Sequence, residues 1–100
     1  MDAGLKALYC HGGIPEVLTH PELQLKYAWA GDEHGIVSPS QEVLGAGRSS
    51  EVAEKLGLGT VLEVIVSHCD PTVNLFDRLY VVEGDKVVDV WPIDMRGKSQ

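Results

Sequence analysis

Leu79-Tyr80-Val81-Val82-Glu83-Gly84-Asp85-Lys86-Val87-Val88-Asp89-Val90-Trp91 is the stretch that decides the fold class. Two runs rich in β-branched and aromatic residues flank a polar break with glycine at its centre. Branched and aromatic side chains suit a pleated backbone, because they pack well against cross-strand neighbours there. A glycine-bearing break between two such runs is a turn signal. The segment is therefore expected to fold as a hairpin, with Leu79–Val82 against Lys86–Trp91.

Upstream, Thr60–Val66 is a second β-branched run and reads as a buried strand entered from Gly59. Leu23, Leu25, Tyr27 and Trp29 alternate with Glu22, Gln24, Lys26 and Ala28, the period-two signature of a half-buried strand. Asp32-Glu33-His34-Gly35 forms a turn and Ile36–Ser38 begins another strand. Near the start, Leu5–Cys10 is a short apolar segment expected as a strand, closed by Gly12-Gly13 and Pro15, with a loop from there to Pro21. One helix is expected. Ser49 or Ser50 would cap it, Glu51 and Glu54 suit its positive end, and Gly57 would stop it. No repeat, linker or βαβ series is visible. The chain reads as mainly β: a small single-domain β-barrel or sandwich over residues 1–100, with five or six strands and one short helix.

The composition narrows the function. With 100 residues there is room for one domain with a modest core. A net charge of -7 argues against nucleic-acid or anionic-membrane partners, since neither phosphates nor acidic headgroups attract such a surface. No apolar run approaches the roughly 20 residues that cross a bilayer. The first residues lack a basic segment followed by an apolar one, so no secretory signal is read. Cys10 and Cys69, without a C-x-x-C pattern, are most simply reduced thiols, and a cytoplasmic location is expected.

Chemistry concentrates in Val64-Ile65-Val66-Ser67-His68-Cys69-Asp70-Pro71-Thr72-Val73-Asn74. An apolar run passes directly into ligand-type side chains. If the extended backbone continues to Asp70, His68 and Asp70 share one face and Cys69 the other. An imidazole and a carboxylate so placed can hold a divalent cation and leave positions open for water or substrate. On spacing alone, a turn with a hydrogen-bonded histidine is the commoner meaning of His-x-Asp. His34 reads as a solvated turn residue, His11 and His20 as loop residues, and Tyr27, Trp29, Tyr80 and Trp91 as core aromatics. The glycines at 45, 47, 57 and 59 read as turn and cap residues rather than a phosphate cradle.

Several motifs in order carry a resemblance. His68-Cys69-Asp70-Pro71-Thr72-Val73-Asn74-Leu75, then Leu79–Val82, Val90-Trp91-Pro92-Ile93 and Arg96-Gly97, preceded by Asp2-Ala3-Gly4-Leu5-Lys6-Ala7-Leu8 and Asp32-Glu33-His34-Gly35, resemble the C-terminal β domain of the D-threonine aldolase and D-serine dehydratase family. These are fold type III pyridoxal-phosphate enzymes. Tyr9-Cys10-His11 stands where that family usually has small or acidic residues, and Val66-Ser67 replaces its usual Pro-Asn. The resemblance implies a β domain packed at the mouth of a cofactor-bearing barrel. It places His68 at the histidine metal ligand and Asp70 at the second ligand, an aspartate in the aldolases and a cysteine in the dehydratases. Manganese, magnesium or zinc suits such a pair.

The barrel, about 200 residues or more in a TIM-type fold, has no counterpart here. None of the five lysines (Lys6, Lys26, Lys55, Lys86, Lys98) sits in the family's cofactor-lysine context, so pyridoxal phosphate is not expected in this chain alone. The leading expectation is an isolated metal-binding β domain, inactive without a barrel partner. The alternative is a stand-alone small-ligand-binding or self-associating module that reuses the scaffold. A cassette-like protein without a ligand ranks third.

Overall fold

Tyr27 lies at the centre of the fold, 2% exposed, and the rest of the core is arranged around it. In this computed structural model, which describes residues 1–94 and Arg96, the strands are β1 (Glu16–Val17), β2 (Lys26–Trp29), β3 (Gly35–Ser38), β4 (Val64–Ile65), β5 (Arg78–Glu83) and β6 (Lys86–Pro92). The helices are α1 (Gln41–Gly45), α2 (Ser49–Lys55) and α3 (Cys69–Val73), with a short 3-10 turn at Pro21–Leu23. Gly97 of the Arg96-Gly97 motif and Lys98 lie outside the described residues.

Strands β3, β2, β1 and β4 form one antiparallel sheet in that order, and β5 pairs with β6 in a second. The alternation expected around Tyr27 holds from Lys26 onward. Tyr27 and Trp29 turn inward while Lys26 and Ala28 stay exposed. Leu8, Val17 and Tyr27 make the buried cluster, with Leu25, Trp29, Val37, Leu62, Val64 and Val66 packed on it. Each polar aromatic tip finds a carbonyl, as a buried O–H or N–H requires. The Tyr27 hydroxyl donates to Ala3 O at 2.6 Å and the Trp29 indole N–H to Leu8 O at 3.3 Å.

The hairpin expected at the outset is present. Glu83 faces Lys86 across Gly84-Asp85. Gly84 has φ +60°, the left-handed conformation that the first central position of a tight II′ turn demands and that glycine adopts without strain.

Several expectations fail, each for a local reason. No closed barrel forms among the described residues. The sheet ends at β3 and β4, and β5 and β6 pack chiefly on each other rather than on it. Leu5–Cys10 is not a strand. The chain curls at Gly4, with the amides of Ala7 and Leu8 both donating to its carbonyl, while Leu5 and Lys6 donate to Gly31 and Asp32. The loop before Pro21 contains β1, which fills the sheet centre. The segment at Leu23 begins as a 3-10 turn, so β2 starts only at Lys26. Regular strand in the Thr60–Val66 run narrows to Val64–Ile65.

The expected helix is present as α2, and two further short helices, α1 and α3, accompany it. Arg48, not Ser49 or Ser50, occupies the cap of α2, and the serine that does cap is Ser40, whose Oγ accepts from Val43 N at 3.2 Å at the start of α1. Helix α3 is the change that matters for the site.

Candidate functional site

The apolar run of β4 does not stay extended to Asp70. His68 is the last extended residue, with φ −145° and ψ 113°, and α3 begins at Cys69. Pro71 sits in the first helical turn, where amides have no intrahelical partner and a missing N–H costs nothing. The shared-face argument for His68 and Asp70 therefore does not apply. His68 instead stands at the helix cap and Asp70 in the first turn. Both are exposed. Among the described residues neither side chain is engaged in a hydrogen bond or ion pair, so the ring nitrogens and carboxylate oxygens keep free lone pairs.

What holds His68 is a second segment that sequence reasoning did not connect to it. Thr72, 5% exposed, is the buried polar residue of the described chain. Its hydroxyl donates to His68 O at 2.8 Å, one helical turn back, and accepts from Tyr9 N at 3.2 Å. Ser67 Oγ donates to Tyr9 O at 3.2 Å, so both backbone polar groups of Tyr9 are tied to the 67–72 segment. The Tyr9 ring lies edge-on between two imidazoles, 5.4 Å from His11 and 5.9 Å from His68 between centroids. Gly12, at φ +90°, lets the chain turn back across the site. A Cβ placed there would lie 3.7 Å from the Cβ of His68.

Cys69, Asp70, Val73 and Asn74 of α3 and its end line a shallow groove with Ile93 and Arg96. The Arg96 guanidinium is occupied by Asp77 at 2.7 Å and Ile93 O at 2.9 Å, not by Asp70. His34 borders a different groove, with Met1, Asp2 and the 56–62 loop. His20 faces Glu22 at 3.6 Å. Cys10 is half-buried and Cys69 exposed, both as free thiols.

A resident cation is a reasonable fit in donor chemistry and a poor one in donor number. Nitrogen and oxygen donors are exposed and unengaged at His68 and Asp70, yet the described residues contain no group of three His, Cys, Asp or Glu side chains able to hold an ion. The chain offers two ligands and leaves the rest of the shell to others. A signal for the Thr72 tie was present in the sequence. The spacing of four between His68 and Thr72 puts a hydroxyl over the preceding turn's carbonyl once the segment is helical.

Residues 1–82 match the family model described as "Putative serine dehydratase domain". The chain is 39% identical over 100 residues to a D-threonine aldolase of Arthrobacter sp, spanning all of this chain and 23% of that protein. It is 39% identical over 99 residues to the 3-hydroxy-D-aspartate aldolase of Paracoccus denitrificans (strain Pd 1222), spanning 22% of it. The crystal structure of D-threonine aldolase from Filomicrobium marinum superposes with a TM-score of 0.74 at 30% identity, over 96% of this chain and 23% of that one. The chain thus spans under a quarter of the length of the relatives it matches, in their C-terminal region.

Proposed function

The chain belongs to the "Putative serine dehydratase domain" family, and from that premise we propose that it is the metal-holding β portion of an amino-acid aldolase or lyase, dependent on a larger domain for catalysis. The observation that carries the reading is the pair His68 and Asp70 at the start of α3, both exposed and both unengaged among the described residues. Imidazole nitrogen with carboxylate oxygen suits manganese, magnesium or zinc. Aspartate at the second position favours the aldolase side of the family, in line with the two relatives, both named aldolases.

His68 would offer a ring nitrogen from a backbone fixed by Thr72, and Asp70 a carboxylate from the first helical turn. A cation bound there would supply Lewis-acid polarisation of a substrate hydroxyl. Two protein ligands bind weakly, and remaining positions would fall to water, substrate or the partner. Pyridoxal phosphate belongs to that partner in this reading, as the family resemblance implies.

The need for a partner is supported by surface area. The chain exposes 7336 Å², whereas a compact monomer of this mass exposes about 5,500 Å². Hairpin residues contribute to it: Tyr80 (61%), Val82 (62%), Val87 (57%) and Trp91 (51%) are open to solvent. The same exposure supports a second reading, self-association of a free-standing module.

Titration calorimetry with Mn²⁺ and Zn²⁺ tests the site. The parent should give a weak saturable heat that His68→Ala and Asp70→Ala each remove. Equal heats from all three proteins would dispose of the metal reading.

A further inference from the structure

The β5–β6 hairpin has two outer edges, and they differ. Residues pair across it in one register from Arg78↔Pro92 to Val81↔Asp89. In an antiparallel ladder alternate pairs exchange backbone hydrogen bonds, and the pairs between them turn N–H and C=O to the outer edges. Ile93 N donates to Asp77 O at 2.9 Å in the same register. Asp77, Leu79 and Val81 therefore face β6, while Arg78, Tyr80 and Val82 face outward. On β6 the outward positions are Val90 and Pro92, and both are closed. The Val90 N–H donates to Asp89 Oδ1 at 2.8 Å, the other carboxylate oxygen accepts from the Trp91 indole N–H at 2.9 Å, and Pro92 has no N–H. Val88 is an extra, unpaired residue on this strand, a bulge of the kind that blunts an edge. The β5 edge is not guarded in this way. Among the described residues no third strand pairs with β5, and neither proline nor an extra residue interrupts it.

We infer that the β5 edge pairs with the β5 edge of a second copy of this chain, and that the capped β6 edges stop the assembly at two chains. This rests on the self-association reading and names its surface. Outward residues meet outward residues in an antiparallel ladder, so the two-fold axis that overlaps most of β5 passes at Tyr80. Each Tyr80 then stands opposite the other, Arg78 opposite Val82 of the second copy, and Leu79 opposite its Val81. Apolar side chains come together on both faces, where Leu79, Tyr80 and Val82 are exposed in the single chain. Asp77 comes opposite Glu83 of the second copy, and the Arg96 guanidinium at 2.7 Å already offsets its charge. Surface is not limiting. The chain exposes 7336 Å², about 1,800 Å² more than a compact monomer, and a standard interface takes about 800 Å² from each partner. Strand addition runs on main-chain hydrogen bonds, so the free N–H groups of β5 decide where it happens. With β6 closed, the product is a four-stranded sheet rather than an open filament.

Sedimentation equilibrium over a concentration series of the full chain reads the assembly. The parent mass should rise to that of a dimer and level off. Tyr80→Pro removes the N–H at the centre of the new pairing and spares the β5–β6 ladder, so it should weaken association about ten- to hundredfold. With Cys10→Ser and Cys69→Ser in place, a low-molecular-weight disulfide should cross-link Tyr80→Cys chains in pairs and leave Val90→Cys chains single. Asp89→Ala with Pro92→Ala opens the β6 edge, and its mass should climb past the dimer. A parent that stays monomeric at every concentration overturns the inference and the self-association reading together. A parent dimer that Tyr80→Pro does not weaken, or cross-linking at Val90→Cys in preference to Tyr80→Cys, overturns the β5 edge while self-association stands. A double variant that stops at the dimer overturns the capping role of Asp89 and Pro92. None of these readouts passes through His68 or Asp70, so the metal reading is tested apart from them.

Discussion

Thr72 shows how one side chain can join two distant segments. A threonine inside a helix often turns its hydroxyl back to the carbonyl four residues earlier, and here that carbonyl belongs to His68. The same oxygen then accepts from Tyr9 N, so both capacities of the hydroxyl are used in a buried place. Thr72→Val keeps the shape and deletes both bonds, leaving a buried amide without its partner. It should lower unfolding free energy by about 1–3 kcal/mol in urea titration, whereas Thr72→Ser should retain most of it. The identities of His68 and Asp70 as candidate ligands were legible from residue type and surrounding motifs. Their geometry was not. A branched run leading up to an Asp-Pro pair suggests continued extension, because the residue before proline disfavours the helical region. A five-residue helix is also too short to display a 3.6-residue period. Tyr9 was illegible for a different reason, since nothing local to it signals a partner 59 residues away.

Helix α2 is held less by apolar burial than by charge, for it contains no buried residue. The Glu51 carboxylate accepts from Arg48 at 2.8 and 3.0 Å and from Lys55 at 2.9 Å, and Lys55 reaches Glu22 at 2.6 Å on the 3-10 turn. Hydrogen bonds from Arg48 and then Lys55 hold the Glu51 carboxyl down at about 2, from its ordinary 4.5. A depressed acid contributes stability that is complete above its unfolded pKa and is lost as pH falls through the folded one. The α2 attachment should therefore be intact above pH 4.5 and weaken between 4.5 and about 2. Amide exchange of α2 followed through that range should show it, and Glu51→Gln should reduce the dependence, the remainder coming from Glu22, whose carboxyl the Lys55 hydrogen bond also holds below its ordinary value. Because the pairs are solvent-facing, raised salt should weaken the attachment at neutral pH as well. Among the elements, the β5–β6 hairpin was readable, since its turn and both strands are local in sequence, though not the register shift at Val81/Val82. β1 was not readable. Two residues cannot show a period, and Glu16–Val17 become a strand only because β2 and β4 flank them.

At the scale of the molecule, extents of 49 × 31 × 18 Å and a radius of gyration of 15.6 Å exceed the roughly 13 Å of a compact chain this long. The expected barrel or sandwich assumed that every apolar strand closes on another within the chain. The hairpin instead carries apolar residues in consecutive runs, which suits burial on both faces, and most of them stand in solvent. Sequence alone could state that these strands want cover but not that the described residues leave them open. Light scattering should find mass rising with concentration for the isolated chain, and Val82→Lys with Val90→Lys should hold it at the monomer. Among the described residues no helix is long and apolar enough to cross a membrane. The central claim remains the metal pair at the entrance to α3. Its most direct test is the anomalous scattering of crystals grown with manganese. The account predicts a manganese peak bonded to both the imidazole of His68 and the carboxylate of Asp70, with water completing the shell. A peak elsewhere on the surface, or none at these two residues in well-ordered crystals, would contradict it.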